Sequence, residues 1–343
     1  MSIFLDYIFF TSLLFFLNHL FLKRNLLIDK PIPHTHKKKE FFSKSVPKSI
    51  GIVLYIYVLH KFDLSLIDQL FIFLIFALGI FSDLGKLSSP KLRFLLQLIF
   101  VSLLILISKN YINTTKIPLF DILLEVNFFK IIFTIICVTI IINGSNFIDG
   151  LNTLCIGYYL AVLIAFLILI SMSGHSVEEI TKHNIQKLIF FLTILFLFNL
   201  VGKSFLGDSG SYFLGIFISV LTIYLHNELP NISPWVFANF LWYPAYEILF
   251  SILRRSISTN NPLFPDNNHF HQVFYLFLKK KLNISINYLN PLTANIINIY
   301  NLLIFFYVLT YSKYNFILML IFIFNCFFYS SIYLVFVKLL KNK

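Results

Sequence analysis

Long apolar segments separated by short polar stretches are the feature that most constrains how this chain can fold. Eleven such segments lie at about residues 3–22, 46–60, 65–82, 92–108, 129–142, 153–172, 186–201, 211–226, 232–253, 294–312 and 315–338. About 20 apolar residues of helix cross the ~30 Å hydrocarbon core of a bilayer. Charged residues make up only 12% of the chain, whereas soluble domains carry about 25%. The sequence therefore predicts an all-α polytopic membrane protein of 10–11 transmembrane helices, with residues 1–343 as a single domain.

The distribution of basic residues predicts the orientation in the membrane. Of the 27 Lys and Arg residues, 20 lie in alternate connecting stretches, at residues 23–48, 82–93, 202–210, 254–294 and 338–343. Cytoplasmic loops carry the excess of positive charge in membrane proteins. We therefore expect these stretches, together with the loop at 143–152, on the cytoplasmic side. The N-terminus then faces outward and the C-terminus faces the cytoplasm.

Four of the predicted cytoplasmic loops contain a carboxylate within a dense polar motif. Asp83 lies in SDLGK, Asp149 in NFIDGLN, Asp208 in GDSGS and Asp266 in FPDNNHFH. Carboxylates at one membrane face, amid basic residues, indicate a cation site or an acid–base site. We expect the fold to bring Asp83 and Asp208 beside Asp149.

The GDSGS motif is typical of a helix start. Backbone N–H groups at a helix start can hold phosphate oxygens, and the adjacent Asp208 can hold the Mg²⁺ that accompanies them. The alternative interpretation is that Asp208 and Asp149 are only helix caps. Lys86 and Arg93 follow Asp83 and suit a phosphate group, although the positive charge of a cytoplasmic loop explains them equally well.

His269 and His271 flank a Phe in the longest predicted cytoplasmic loop, and an apolar stretch that predicts a short interfacial helix follows them. Such a pair can ligate a metal, bind phosphate or transfer protons. A zinc site needs more ligands of the same kind, which favours the phosphate or proton role. Glu247 lies inside a predicted span, where an acid is costly and functional by default. Its structural alternative is an ion pair with Arg254 or Arg255.

Five motif blocks follow one another between about residues 27 and 272. They are IDKP…HKKK…VPKSIGI, GIFSDLGKLSSPKLRFLLQ, NGSNFIDGLN, FNLVGKSFLGDSGSYFLG and RR…NPLFPDNNHFHQ. In this order they resemble the polyprenyl-phosphate N-acetylhexosamine-1-phosphate transferases, glycosyltransferase family 4. The chain departs from that family at Ser82, where an Asp usually precedes Asp83, and at Asn152, where an Asp usually ends the Asp-Gly-x-Asp motif.

The resemblance implies an enzyme that transfers a GlcNAc-like HexNAc-1-phosphate from UDP-HexNAc to undecaprenyl phosphate and releases UMP. It further implies Mg²⁺ or Mn²⁺, a bacterial inner membrane, and a product that starts a lipid-linked cell-surface glycan. Asp208 and Asp83 are the implied metal ligands, and Asp83 is also the candidate that activates or positions the lipid phosphate. The implied catalytic residues are Asp83, Asp149, Asp208, His269 and His271. The implied substrate-binding residues are Lys86, Arg93, Asn146, Asn199 and Asp266.

Three alternatives stay open at this point. The first is the peptidoglycan phospho-MurNAc-pentapeptide transferase of the same family. The second is a transporter of lipid-linked sugars, which shares the helix count and the charged inner face. The third is an inactive relative, suggested by Ser82. The expected partners are UDP-HexNAc, undecaprenyl phosphate and the bilayer, without nucleic acid, and a homodimer is left open.

Overall fold

The computed structural model describes residues 2–30, 44–173, 177–257 and 268–341. Within these ranges the chain forms fourteen helices: α1 (Ser2–Arg24), α2 (Ile50–Lys61), α3 (Leu66–Asp83), α4 (Pro90–Ser108), α5 (Pro118–Glu125), α6 (Asn127–Ile148), α7 (Leu154–Ser173), α8 (Glu179–Leu200), α9 (Gly207–Glu228), α10 (Pro234–Phe240), α11 (Trp242–Ile257), α12 (Phe270–Lys281), α13 (Ile286–Thr310) and α14 (Asn315–Lys341). Two short antiparallel strands, β1 (Ile28–Asp29) and β2 (Val46–Pro47), pair Ile28 with Pro47 and Asp29 with Val46.

The all-α polytopic prediction is confirmed. Among the described residues, nine helices are long and apolar enough to cross a membrane, and each corresponds to a predicted segment. The segment predicted at 232–253 is broken, because α10 and α11 meet at a bend of 68°. The segment predicted at 46–60 forms only the 12-residue α2, which is about 18 Å long and too short to cross by itself.

Helix α2 nevertheless connects the two ends of the bundle. Ser49, just before α2, donates a hydrogen bond to Asn18 of α1, and Lys61 at its end pairs with Asp6 of α1. Asp6 and Asn18 are separated by about 18 Å of helix, so α2 lies along α1 over that length. The chain therefore changes ends between Ser49 and Lys61, as the predicted alternation of loops requires at this point, while the orientation in the membrane stays a prediction.

Helix α9 is the central helix of the bundle. It is buried along most of its length and packs against α2, α3 and α6. The approach to α3 is close, since a Cβ atom on Gly79 would lie 2.3 Å from the Cα atom of Ser209. Small residues at such contacts let helix backbones pack tightly within a membrane. This packing brings the ends of α3 and α6 to the start of α9.

Two loop boundaries differ from the predictions. Helix α6 continues to Ile148, so the first half of the loop predicted at 143–152 is helical. Asn is a weak helix former, but Asn143 donates to Gln97 of α4 and Asn146 donates to Asp208 of α9. These tertiary contacts hold the last turn. Helix α9 likewise begins inside the loop predicted at 202–210, while α12 confirms the short helix predicted after the His pair.

Candidate active site

Asp83, the last residue of α3, caps the N-terminus of α9. Its Oδ1 accepts the backbone N–H of Asp208 at 3.0 Å, and its Oδ2 accepts that of Ser209 at 2.9 Å. Lys48 donates to Oδ1 at 3.0 Å and lies 3.7 Å from Asp29. The Asp83 side chain has no exposed surface. Asp83 is therefore a buried residue that joins α3 to the start of α9. Its roles as a metal ligand and as the residue that activates or positions the lipid phosphate stay predictions.

Gly207 is required by this cap. Its φ is +74°, in the left-handed region, and a Cβ atom there would lie 2.7 Å from the Asp83 carboxylate. Only glycine meets both conditions without strain. Because the N–H groups of Asp208 and Ser209 are already bonded to Asp83, these two groups do not hold phosphate oxygens here. The phosphate interpretation of the GDSGS motif otherwise stays a prediction.

Asp208 presents an accessible carboxylate held by three other helices. Asn146 of α6 donates to Oδ1 at 2.8 Å, and Arg93 of α4 donates to Oδ2 at 2.8 Å. The Ser82 hydroxyl of α3 donates to the same Oδ2 at 2.5 Å and accepts from Arg93. About 30% of the Asp208 side chain is exposed. The cap interpretation of Asp208 is therefore wrong, since Asp83 performs that role.

Asp149 lies half-buried directly after α6. Within the described part of the chain its carboxylate has neither a hydrogen bond nor an ion pair, so it does not cap α7. Burial raises the pKa of Asp149 well above its usual value, and the negative charges of Asp208 and Asp83 add to that effect. A carboxylate in this position is costly without a compensating positive charge. The site is therefore prepared for a cation or a cationic group of a ligand complex.

The available oxygen atoms suit Mg²⁺. This ion prefers oxygen ligands, keeps several waters and usually binds through one or two carboxylates together with substrate phosphates. Asp208 is accessible and Asp149 is unpaired, whereas both oxygens of Asp83 are bonded and buried. Over the described ranges, no three His, Cys, Asp or Glu side chains converge as a closed metal site. Asp208 and Asp149 are thus the carboxylates whose oxygens stay available to such an ion among the described residues, and Mg²⁺ binding stays a prediction.

The His-x-His pair reaches the same region from the start of α12. A Cβ atom on Gly150 would lie 2.1 Å from Nε2 of His271, so the imidazole rests directly on the backbone after Asp149. The rings of His269 and His271 are parallel, with centroids 5.8 Å apart, and the Phe147 ring lies 4.8 Å from that of His269. The third and fifth sequence motifs therefore meet in space.

Glu247 pairs with His269 and not with Arg254 or Arg255, so the proposed arginine pair is wrong. Its Oε1 lies 2.9 Å from Nδ1 of His269, and its Oε2 accepts the Tyr329 hydroxyl at 2.8 Å. Glu247 is fully buried, and α12 and α14 bring these partners to it inside the bundle. The carboxylate favours the tautomer with hydrogen on Nδ1, which leaves Nε2 of His269 for a substrate.

His271 is fully buried, and neither ring nitrogen has a hydrogen-bond partner among the described residues. Burial lowers the pKa of His271 to about 3, against the opposing effect of Glu247. The ring is therefore neutral near pH 7. It can donate an N–H to a phosphate but does not carry a positive charge.

The remaining predicted site residues have different surroundings. Asn199 accepts the Thr153 N–H at 2.5 Å and donates to the Ser204 carbonyl at 2.9 Å, so both ends of its amide brace loops. Lys86 is exposed, and its ammonium forms no hydrogen bond or ion pair with the residues that the structure describes. Asp266 lies outside the described residues. The predicted substrate contacts of Asn199 and Lys86 stay predictions.

Lys48 is a site residue that the sequence analysis missed. Burial alone would lower the pKa of Lys48, but the carboxylates of Asp83, Asp29 and Asp208 outweigh burial and raise it. Lys48 therefore stays charged and compensates the buried Asp83. Eight basic residues lie within 23–48, so charge did not distinguish this one from its neighbours.

An apolar cavity of about 470 Å³ lies between α5, α6, α9, α10, α11 and α14. Phe133 and Ile141 of α6 and Leu249 of α11 are among its lining residues. Ile141 precedes Asn146 by about 8 Å along α6. The Ile141 end of the cavity therefore lies about one and a half turns of α6 from the Asn146–Asp208 contact.

Comparison with known proteins agrees with this arrangement. The model of a family described as glycosyl transferase family 4 matches residues 66–226. A probable undecaprenyl-phosphate N-acetylglucosaminyl 1-phosphate transferase of Bacillus subtilis (strain 168) is 29% identical over 222 residues, which are 63% of this chain and 60% of that protein. The match thus spans less than two thirds of the length of that relative.

A second relative covers more of the chain. The undecaprenyl-phosphate alpha-N-acetylglucosaminyl 1-phosphate transferase of Thermotoga maritima is 27% identical over 257 residues, 74% of this chain and 75% of that protein. The family match runs from α3 to α9 and so includes Asp83, Arg93, Asn146, Asp149 and Asp208. A polytopic bundle that gathers these residues at one end agrees with the similarity of residues 66–226, just under half of the chain, to glycosyl transferase family 4.

Proposed function

We propose that this protein transfers a HexNAc-1-phosphate, with GlcNAc as the first candidate sugar, from UDP-HexNAc to undecaprenyl phosphate and releases UMP. The substrate class comes from the names of the two relatives. The observation that carries the proposal is the accessible Asp208, in contact with Arg93, together with Asp149, which has no partner among the described residues and is influenced by the charge of Asp208. This arrangement lies at one end of a membrane bundle, where a lipid phosphate and a water-soluble nucleotide can meet.

In the proposed reaction an oxygen of the lipid phosphate forms a bond to the sugar-bearing phosphorus of UDP-HexNAc. The bond from that phosphorus to the bridging oxygen breaks, and UMP leaves with this oxygen. Both reactants are anions, so the site must offset their repulsion. Mg²⁺ held by Asp208 and Asp149 would offset charge on the donor diphosphate and orient it.

The protein side chains would supply the remaining positive charge and the hydrogen-bond donors. Arg93 already lies at Asp208 Oδ2 and would bind a phosphate group that approaches this carboxylate. Lys86 is exposed one turn away from α4 and would bind the soluble donor. His269, oriented by Glu247, would contact a phosphate through Nε2, and the neutral His271 would donate a single N–H.

Asn146 and Asp83 would act by holding Asp208 in place. Asn146 donates to its side chain, and Asp83 accepts its backbone N–H. The acceptor lipid would place part of its apolar chain in the cavity beside Ile141 and Leu249. We further propose that the site end of the bundle faces the cytoplasm of a bacterial inner membrane, since the basic loops lie there, and that the product starts a lipid-linked glycan.

The test is transfer by the purified full chain in lipid nanodiscs. With undecaprenyl phosphate, Mg²⁺ and a panel of UDP-HexNAc donors, we expect UMP and a lipid-linked sugar phosphate in equal amounts. Asp208→Asn should lower the rate about a hundredfold, because removing a ligand charge costs about 3 kcal/mol in the transition state. Asp68→Asn, at the opposite end of α3, is the matched control and should transfer normally.

Three results would favour other functions. Movement of lipid-linked sugar across the bilayer without UMP release indicates a transporter. Release of UMP only with a UDP-MurNAc-peptide donor indicates the peptidoglycan branch of the family. Inactivity with every donor, reversed by Ser82→Asp, indicates that the natural protein is an inactive relative.

A further inference from the structure

Thr153, the residue before α7, has a backbone conformation that its side chain disfavours. Its φ is +71°, in the left-handed region. A β-branched residue rarely adopts this conformation, and such strain persists only where surrounding contacts impose it. Thr153 is also fully buried. Some part of the structure must therefore hold this peptide in place.

The contacts that impose the conformation come from asparagine side chains on two other helices. Asn199 of α8 accepts the Thr153 N–H, and Asn298 of α13 donates to the Thr153 carbonyl at 2.9 Å. Asn290 of α13 accepts the N–H of the preceding Asn152 at 2.8 Å. Every one of these bonds joins a side-chain amide to the main chain of a single turn. We call Asn199, Asn290 and Asn298 the asparagine clamp.

The clamped turn is the segment that carries Asp149. Only residues 149–153 connect α6 to α7, so Asp149 and Thr153 lie at opposite ends of one five-residue connection. The Asp149 carboxylate has no partner of its own among the described residues. Its position must then be set by its backbone, which is held on one side by α6 and on the other by the clamp.

We infer that Thr153 and the asparagine clamp are positioning residues for the transfer reaction, acting through Asp149. The strained turn and its amide contacts fix where the Asp149 carboxylate stands relative to Asp208. This inference rests on the proposed function. It assigns a role to α13, which lies beyond the part of the chain that the family model matches.

The experiment is a double-mutant cycle on transfer. Asn298→Ala and Asn290→Ala should each lower kcat/KM at least about fivefold. In an Asp149→Asn background the same changes should lower it less than about twofold, because residues that act through one group are not additive. Where Asp149→Asn leaves no measurable rate, Asp149→Glu provides the background.

Asn301→Ala is the matched control. Asn301 lies one turn further along α13, is fully buried and accepts the Trp242 indole N–H at 2.9 Å, but does not contact the 149–153 turn. Removing the Asn301 side chain should lower the thermal stability. It should change kcat/KM by the same factor in the wild-type protein and in the Asp149 variant. A purely structural role for the clamp predicts this same additive behaviour for Asn298→Ala and Asn290→Ala, and that result would overturn the inference.

Hydrogen–deuterium exchange tests the clamp without reference to activity. In the wild-type protein the amides of Asn152 and Thr153 should exchange slowly, since side chains accept both N–H groups. Asn290→Ala should speed exchange of the peptide spanning residues 149–157 at least about tenfold, and Asn301→Ala should not. Unchanged exchange would refute the clamp, whereas fast exchange in an enzyme that transfers no sugar would refute only the proposed function.

Discussion

Replacing Asp83 with Asn preserves the shape of the side chain but removes its charge and one of its two acceptor atoms. The carboxylate now accepts two backbone N–H groups and one Lys48 ammonium. An amide can accept at one atom only, so a buried N–H at the start of α9 is left without a partner, at a cost of about 1–3 kcal/mol. Lys48 also loses its closest counter-charge, and breaking a buried ion pair costs about 3–5 kcal/mol.

Because Lys48 keeps Asp29 at 3.7 Å, we expect a total destabilisation of about 3–5 kcal/mol. For a protein of this size the midpoint of thermal unfolding should fall by about 5–10 °C. The fluorescence of the buried Trp242 can follow unfolding in detergent. Asp68→Asn is the control, since the Asp68 carboxylate accepts a hydrogen bond only from Ser65 among the described residues, and this change should shift the midpoint by at most about 1 °C.

The double variant Lys48→Met with Asp83→Asn sharpens the test. Removing both charges leaves no uncompensated ammonium, so this variant should be more stable than Asp83→Asn alone. If Asp83→Asn unfolds at the wild-type temperature yet transfers no sugar, Asp83 acts on the substrate and is not primarily an anchor. An unchanged midpoint with normal transfer would refute the anchoring role altogether.

Three further predictions concern titration, stability and topology. The pKa of His271 is about 3 in the folded state and about 6.5 in the unfolded chain, so below pH 6.5 the unfolded chain binds a proton that the folded protein does not. The free energy of unfolding should therefore fall by about 1.4 kcal/mol per pH unit below pH 6.5. Unfolding midpoints at pH 7, 6 and 5 measure this dependence, and His271→Asn should remove it. Asp149 has a raised pKa and is therefore unfavourable when ionised, so Asp149→Asn should abolish transfer while stabilising the fold by about 1 kcal/mol at pH 7. A cysteine at Lys86 should react from the cytoplasmic side and one at Glu179 from the outside; the reverse would refute the proposed orientation.

The helices were predictable because a membrane helix satisfies its backbone hydrogen bonds within one segment. The hydropathy of each segment therefore sufficed for the nine long apolar helices of the described residues. The break between α10 and α11 was not predicted, although Pro244 lies in the first turn of α11 and proline disfavours helix in the residue before it. The length of α2 was overestimated, because the predicted segment at 46–60 also included β2 and the polar residues Lys48 and Ser49.

The residues of the site were also visible, whereas their roles were not. In an apolar chain, a loop with Asp, Asn and Gly stands out, and Asp83, Asp149, Asp208, His269 and His271 were all found this way. Nothing in their sequence context separates Asp83, which is a buried cap, from Asp208, which is partly exposed. That difference depends on which carboxylate meets the N–H groups of α9.

The sequence by itself determined an all-α membrane bundle with polar motifs gathered at alternate loops, because hydropathy acts on each segment independently. The tertiary structure decided that Asp83 anchors α9, that His269 pairs with Glu247, and that asparagines hold the turn after Asp149. These contacts join residues far apart in the chain, such as the 125 positions between Asp83 and Asp208. Burial and hydrogen bonding at such contacts arise only once the helices pack, so no local pattern encodes them.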